Sequence, residues 1–91
     1  MPRPKIPRKV CGKPCACSFK PSGMAMAALE KIELATDEFE ALRLVDFQGM
    51  QQQVAAQQMQ VSRQTLANIL KSGRRKLVGC LLNGNALLID Y

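Results

Sequence analysis

Apolar residues in the C-terminal half of the chain recur with helical spacing. The longest run falls at i, i+3, i+4, i+7 and i+11, which is one continuous face of a helix: Leu66, Ile69, Leu70, Gly73 and Leu77. Ser62 precedes this run and is a good N-cap residue. The pattern predicts a helix over residues 63–78, whose end is weakened by Gly73 and Gly79 at up to about 1 kcal/mol each.

Two shorter helices are predicted before it. The first covers residues 37–47 and is capped by Thr36 or Asp37. Asp37 and Glu40 have the form of a capping box, and Gly49 is a natural stop. Its buried stripe is expected to contain Phe39, Leu42, Leu44, Val45 and Phe47. The second covers residues 51–59, with three residues facing inward, namely Val54, Ala55 and Met59.

The remaining segments predict a small sheet and an irregular arm. Residues 31–35 alternate as a strand does, and the apolar residues 86–89 predict a second strand that pairs with it. Residues 1–23 hold all five prolines and three of the four cysteines, which indicates an arm with little regular structure. We therefore expect a mainly α fold. A three-helix domain over residues 24–91 carries a two-stranded β element and follows a basic, cysteine-containing arm.

The charge distribution favours a polyanionic partner. The chain has a net charge of +6, and residues 47–89 contain no acid. The absence of histidine removes the commonest general base, so we do not expect an enzyme. No apolar run is long enough to span a membrane, and nothing indicates export. We therefore expect a cytoplasmic protein that does not bind membranes.

Residues 52–71 fit a helix-turn-helix. Ala56 is small enough for two helices to cross closely, Val61 fills the space between them, and Leu66 and Ile69 pack back onto the first helix. Ser62 caps the second helix, whose first turns are then able to enter a major groove. The alternative is a plain helical hairpin with a polar solvent face.

The outward face of the predicted third helix follows from the inward one. We expect base contacts from Arg63, Gln64, Ala67, Asn68 and Lys71. Gln and Asn can bond an adenine edge through two hydrogen bonds, and Arg can do so with guanine. Phosphate contacts, which position without specifying, are expected from Ser62, Arg74, Arg75 and Lys76 and from the arm residues Arg3, Lys5, Arg8 and Lys9.

Three segments resemble a small prokaryotic family of uncharacterised proteins. They are residues 36–46 (TDEFEALRLVD), 55–56 (AA) and 61–65 (VSRQT), and members of this family also open with Met-Ala/Pro-Arg-Pro. The family is predicted to bind DNA, and its helical part is similar to the promoter-reading region 4 of sigma-70 factors. The resemblance runs from residue 1 to residue 84. It implies a recognition helix near Ser62 and carries over Arg63, Gln64 and Thr65, which adds Thr65 to the expected phosphate contacts.

Two positions depart from the usual helix-turn-helix pattern. The turn position that commonly holds glycine is Gln60, where a positive φ is strained but tolerable. The helix before the turn starts at Gln51 rather than at Ser or Thr, which removes a cap worth about 1 kcal/mol.

Three cysteines lie in the arm with C-x3-C-x-C spacing: Cys11, Cys15 and Cys17. Zinc or an iron–sulfur cluster is one interpretation, with Cys80, a carboxylate or a partner chain as the fourth ligand. The other is that they are unligated thiols in a flexible arm. Cys80 fits a small core residue better.

Three functions are compatible with these features. The first is a transcriptional regulator that reads double-stranded DNA, with pairing of two copies through residues 86–89 or 24–34. The second is an adaptor that docks on RNA polymerase or another partner through the acidic helix at residues 37–46. The third is a metal- or redox-sensing module built on the arm cysteines.

Overall fold

The computed structural model describes residues 17–90. It is mainly helical with a small sheet, as the sequence predicts. The elements in chain order are β1 (Ser18–Phe19), a 3-10 turn (Met26–Ala28), β2 (Lys31–Leu34), α1 (Thr36–Leu42) with a π-helical extension (Arg43–Phe47), α2 (Gln52–Met59), α3 (Arg63–Asn83) and β3 (Ala86–Ile89). Within the described residues, no helix combines the length and apolarity that crossing a membrane requires.

Helix α1 begins at Thr36, one residue before its predicted start and two before the start that the Asp37–Glu40 capping box implies. Ala35 is the N-cap, so Glu38 and not Glu40 occupies the third helical position. The Glu38 carboxylate accepts a hydrogen bond from the Ala35 N–H at 2.8 Å. The predicted Asp37–Glu40 pair is therefore wrong. Glu40 is buried and binds Arg43 at 2.9 Å instead.

A π-helical turn at the end of α1 changes the direction of the side chains that follow. The Gln48 N–H donates to the Arg43 carbonyl five residues back, so the turn holds one more residue than an α-turn. The extra residue shifts later positions around the helix axis. Leu44 remains buried, but Phe47 is 83% exposed, which overturns its predicted place in the buried stripe.

Helix α3 is longer than predicted. It continues to Asn83, and Gly84 ends it in the left-handed conformation with φ 68°. Gly73 lies in the interior of the helix, where it is buried against α1. Two predicted inward residues are wrong: Leu77 is 37% exposed and Val54 is 42% exposed.

The core has two parts along α3. The first joins its N-terminal half to α1 and α2 through a buried cluster: Ala41, Leu44, Ala55, Ala56, Met59, Leu66, Ile69 and Leu70. The second joins its C-terminal half to the sheet through Leu34, Cys80, Leu87 and Ile89. Cys80 is thus a core residue, as predicted. Helix α3 links the two parts and fixes their relative position.

The sheet has three strands in the order β1-β3-β2. Strands β2 and β3 pair with each other, as the sequence predicts; the pairing is parallel, with Lys31 opposite Ala86. Strand β1 pairs antiparallel with β3 and was not predicted, because its two residues are too few to show alternation. Strand β3 lies between β1 and β2, so neither of its edges is open to pair with a second copy.

Candidate nucleic-acid interface

The turn between α2 and α3 is tight and has the positive φ that the sequence predicts at Gln60. Gln60 has φ 60° and ψ 43°, in the left-handed region. The Val61 N–H donates to the Ala56 carbonyl at 3.0 Å, and the Val61 side chain packs against the core. Ala56 is 3% exposed where the two helices meet. The α2–turn–α3 unit is therefore held by the small residue Ala56, where the helices meet, and by the packing of Val61 against the core. Gln60 takes up a strained left-handed conformation in the turn.

Ser62 caps helix α3, as predicted. Its Oγ accepts the Thr65 N–H at 3.0 Å and donates to Thr65 Oγ1 at 2.8 Å. Ser62 and the first turn of α3 are exposed, so the remaining N–H groups there point toward solvent. A helix N-terminus of this kind carries partial positive charge and suits a phosphate oxygen.

The inner side of α3 is firmly anchored. Leu66 is fully buried, Leu70 is 1% exposed and Ile69 is 9% exposed, all within the cluster formed with α1 and α2. This burial fixes the rotation of α3 about its own axis. The opposite side of the helix is consequently presented in one orientation.

The five residues expected to contact bases lie together on that opposite side, which we call the reading face (Arg63, Gln64, Ala67, Asn68 and Lys71). All are exposed except Ala67, which is half-buried. Gln64 Nε2 donates to Asn68 Oδ1 at 3.2 Å, so these two amides are aligned side by side. The reading face contains hydrogen-bonding groups and positive charge but no carboxylate.

The basic residues that follow the reading face have different surroundings. The Arg74 guanidinium binds the Asp46 carboxylate through two hydrogen bonds of 2.7 and 3.1 Å, and Lys76 Nζ lies 2.8 Å from Glu38 Oε1. Lys76 also donates to the Glu33 carbonyl at 2.9 Å. Arg75 is exposed and makes no ion pair within residues 17–90. Of the predicted phosphate-contacting row, Arg74 and Lys76 are thus engaged within the chain.

These contacts shift the pKa values of the carboxyl groups. The hydrogen bond from Arg74 lowers the pKa of Asp46, against a smaller effect of burial, and Asp46 in turn raises the pKa of Arg74. Burial alone would raise the pKa of Glu38, but hydrogen bonds from Lys76, Ser72 and the Ala35 N–H outweigh it and lower that pKa. Both carboxylates are charged at neutral pH and tie α1 to α3.

The arm residues fall mostly outside the described part of the chain. Arg3, Lys5, Arg8, Lys9, Cys11 and Cys15 all lie in residues 1–16. Cys17 is exposed with a free thiol, whereas burial raises the pKa of the Cys80 thiol. Within residues 17–90 no group of three or more Cys, Asp or Glu side chains is arranged to hold a metal ion.

Sequence reasoning missed an apolar surface at the other end of α3. The C-terminal apolar patch consists of Phe19, Phe47, Leu77, Val78, Leu81 and Leu82. Four of its members, namely Phe19, Phe47, Leu77 and Leu81, line one groove whose other walls include Leu42 and Leu87. The signal for it was the Leu81-Leu82 pair, which lies beyond the predicted end of the helix.

Comparison with known proteins gives a family and relatives over almost the whole chain. The model of a family described as "Protein of unknown function DUF134" matches residues 1–91. A UPF0251 protein of Aeromonas salmonicida is 63% identical over 90 residues, covering 99% of this chain and 88% of the relative. A UPF0251 protein of Vibrio cholerae is 60% identical over 91 residues, covering 99% and 92%. No solved structure matches significantly.

Proposed function

The chain belongs to the DUF134 family, and we propose that it is a sequence-specific double-stranded DNA-binding protein that acts as a transcriptional regulator. One observation carries the proposal: the reading face is exposed and free of acid while the reverse side of the same helix segment is buried. A recognition helix needs both properties, because base contacts require an open face held in one orientation.

The α2–turn–α3 unit would serve as the helix-turn-helix, with the first turns of α3 in the major groove. Gln64 and Asn68 supply paired amides for base edges, and Arg63 and Lys71 flank them with positive charge. Ala67 lies between them and allows the helix to approach the groove closely. The sequence of this region resembles the promoter-reading region 4 of sigma-70 factors, and that resemblance implies the same docking mode.

Phosphate contacts would come from groups around the edge of the reading face. Ser62, Thr65 and the α3 N-terminus lie at one end, and Arg75 lies at the other. Arg74 and Lys76 hold Asp46 and Glu38, so we assign them first to the orientation of α1 on α3. The arm residues Arg3, Lys5, Arg8 and Lys9 add positive charge and are proposed to contact the DNA backbone as well.

The adaptor alternative has less support from the acidic helix. Glu38, Glu40 and Asp46 each bind a basic side chain of the same chain, so these three carboxylates are already used. A partner that recognised them would have to displace Lys76, Arg43 or Arg74. The DNA-binding proposal requires no such rearrangement of the reading face.

The salt dependence of duplex binding tests the proposal. Binding of the full chain to a labelled random duplex is followed by fluorescence anisotropy. The logarithm of Kd should rise linearly with the logarithm of the salt concentration, because contacts with phosphates release counterions. Arg75→Ala should reduce that slope by about one unit. Lys31→Ala, which removes an exposed charge from the sheet edge, is the matched control and should change the slope less. Absence of binding even at low salt would refute the proposal.

A further inference from the structure

The C-terminal apolar patch is large for an exposed surface on a small chain. Phe47 is 83% exposed, Leu81 79% and Leu82 80%, and all three lie on helical segments. Scattered apolar residues are normal on protein surfaces, but contiguous patches mark binding sites. Phe47 and Leu81 share the walls of one groove, so the exposure is not scattered.

We propose that the C-terminal apolar patch is the two-fold interface of a homodimer, and that this interface sets the spacing of two DNA half-sites. The second part rests on the proposed DNA-binding function, whereas the first does not. The occupant of the groove is a second copy of the chain. In a two-fold dimer each partner offers the same surface, which must therefore contain both a protrusion and a place to receive it.

The patch has this self-complementary form. Phe47 projects from the π-helical turn, and next to it the groove runs between Leu77 and Leu81 of α3 and Phe19 of β1. In the dimer, Phe47 of each copy enters the groove of the other. A large aromatic side chain in an apolar pocket is the kind of contact that dominates protein interfaces.

The area is sufficient for a stable dimer. The six side chains of the patch expose on the order of 600 Å² of apolar surface. Two copies would bury about 1,200 Å², which reaches the lower limit of specific protein–protein interfaces. Polar groups around the patch increase this area further.

Charge at the groove does not oppose the approach of a second copy. The chain carries +6 overall, but within residues 17–90 the charged residues that line the groove are Lys20, Arg43 and Asp46. Arg43 is paired with Glu40 at 2.9 Å and Asp46 with Arg74 at 2.7 Å. Lys20 directs its ammonium group to the Met24 carbonyl. Within residues 17–90, Arg63 and Lys71 of the reading face and Arg75 carry positive charge and do not line the groove.

The position of the patch on α3 leaves the reading face open. At about 100° per residue, Leu77 and Leu81 point roughly a third of a turn away from Gln64, Asn68 and Lys71. Val78 and Leu82 lie nearly in line with Lys71 and Gln64, but about 10 Å or more beyond Lys71 along the helix axis. A second copy that is centred on Leu77 and Leu81 at the groove therefore lies beside the DNA and not between α3 and the DNA. Both recognition helices remain accessible in the dimer.

The length of α3 sets the distance between the two reading faces in such a dimer. Ala67 and Leu81 are about 21 Å apart along the helix axis. Two copies that meet near Leu81 thus place their reading faces on the order of 40 Å apart, and less as the helices incline toward the duplex. Successive major grooves on one side of DNA are about 34–36 Å apart. The dimer would read an inverted repeat whose half-site centres are one helical turn apart.

Sedimentation velocity of the full chain without DNA tests the interface. The wild type should be dimeric at micromolar concentration, and Phe47→Glu and Leu81→Glu should be monomeric with unchanged circular dichroism. Met24→Glu adds the same charge at an exposed apolar residue outside the patch and should stay dimeric. A monomeric wild type, or monomerisation of all three variants alike, would overturn the proposal.

A fluorescence measurement covers the case in which the charged variants fail to fold. The chain has no tryptophan, so Phe47→Trp places a single reporter in the groove while keeping its apolar character. Its emission should shift to the red as the protein is diluted and the dimer dissociates. Emission typical of exposed tryptophan at every concentration would count against burial of residue 47 by a partner.

The two proposals fail in different ways. A dimer that does not bind duplexes at low salt refutes DNA binding and leaves the interface standing. A chain that protects one half-site as a monomer refutes the interface and leaves DNA binding standing. Hydroxyl-radical footprints on a selected site should show two protected half-sites for the wild type, and weakened protection of both for Leu81→Glu.

Discussion

Gly73 of α3 lies directly against Glu38 of α1, where a Cβ atom built on the glycine would be 3.2 Å from Glu38 Cβ and 3.3 Å from Leu42 Cδ1. The missing side chain allows the two helices to approach closely. That approach brings Ser72 and Lys76, on either side of Gly73 along α3, within hydrogen-bonding distance of the Glu38 carboxylate. One glycine therefore permits the polar contacts that orient α1 on α3.

Substitution of the two glycines of α3 should have opposite effects. Gly73→Ala gains up to about 1 kcal/mol of helix propensity, but overpacking against α1 costs about 1–3 kcal/mol, so we expect a net loss of stability. Gly79→Ala meets nothing within 4 Å and should stabilise by up to about 1 kcal/mol. Urea denaturation followed by circular dichroism measures both. Equal shifts of the same sign would show that Gly73 is not a close contact.

The lowered pKa of Glu38 makes part of the stability dependent on pH. Because the folded-state pKa lies below the ordinary value of 4.5, the contribution is complete above that value and is lost as the pH falls through the folded-state pKa. Glu38→Gln should cost about 1–3 kcal/mol at neutral pH, and its stability should converge with that of the wild type in acid. Urea denaturation at a series of pH values measures the difference.

The exposed residue Glu30 provides a control for that measurement. Glu30→Gln removes the same charge from the segment before β2, where its side chain makes no ion pair within the described residues. Its stability should run parallel to the wild type at all pH values. A Glu38→Gln difference that stays constant into acid would mean that the ion pair with Lys76 is not the cause.

The sequence predicts those parts of the fold that depend on local periodicity. The apolar spacing of α3 and the alternation of β2 are visible because each buries one face against a neighbour. The exposure of Phe47 was not predictable, since it follows from a single extra residue in the π-helical turn that no spacing rule reveals. The extension of α3 from its predicted end at residue 78 to Asn83 was not predictable either, because Gly79 lowers the local helix propensity and the burial of Cys80 against the sheet is a tertiary contact.

In the candidate site, too, local periodicity is predictable from the sequence and contacts between distant residues are not. The reading face is predictable because the buried residues Leu66 and Ile69 fix the opposite side of the same helix. The pairing of Arg74 with Asp46 is not, because it joins residues 28 positions apart in the chain. The positive charges of the sequence therefore predict phosphate contacts for Arg74 and Lys76, whereas in the structure both side chains bind carboxylates.

The hydrogen bond between Gln64 and Asn68 predicts coupled effects on base discrimination. Asn68→Ala should cost about 1–3 kcal/mol in binding to the preferred duplex, and much less against a duplex already altered at the contacted base pair. Gln64→Ala removes the donor to Asn68 Oδ1 at 3.2 Å, so the two losses should not add. Anisotropy titrations with a panel of singly substituted duplexes measure both.

Gln48 supplies a matched control for these amides. It is an exposed glutamine at the end of the π-helical turn, away from α3 residues 63–71. Gln48→Ala should bind every duplex of the panel with wild-type affinity. Uniform weakening on all duplexes by Asn68→Ala would assign Asn68 to the DNA backbone and remove it from base recognition.

The turn between α2 and α3 contains a residue whose replacement should stabilise the protein. Gln60 is the single non-glycine residue with positive φ within residues 17–90, and its left-handed conformation brings Cβ close to the following carbonyl. Gln60→Gly relieves this strain against a smaller loss of backbone entropy, so we expect a gain of about 0.5–1 kcal/mol. Gln57→Gly, in the interior of α2, should instead cost about 1 kcal/mol. Thermal and urea denaturation distinguish the two, and destabilisation by both substitutions would mean that the Gln60 side chain stabilises the turn in a way that its backbone conformation does not reveal.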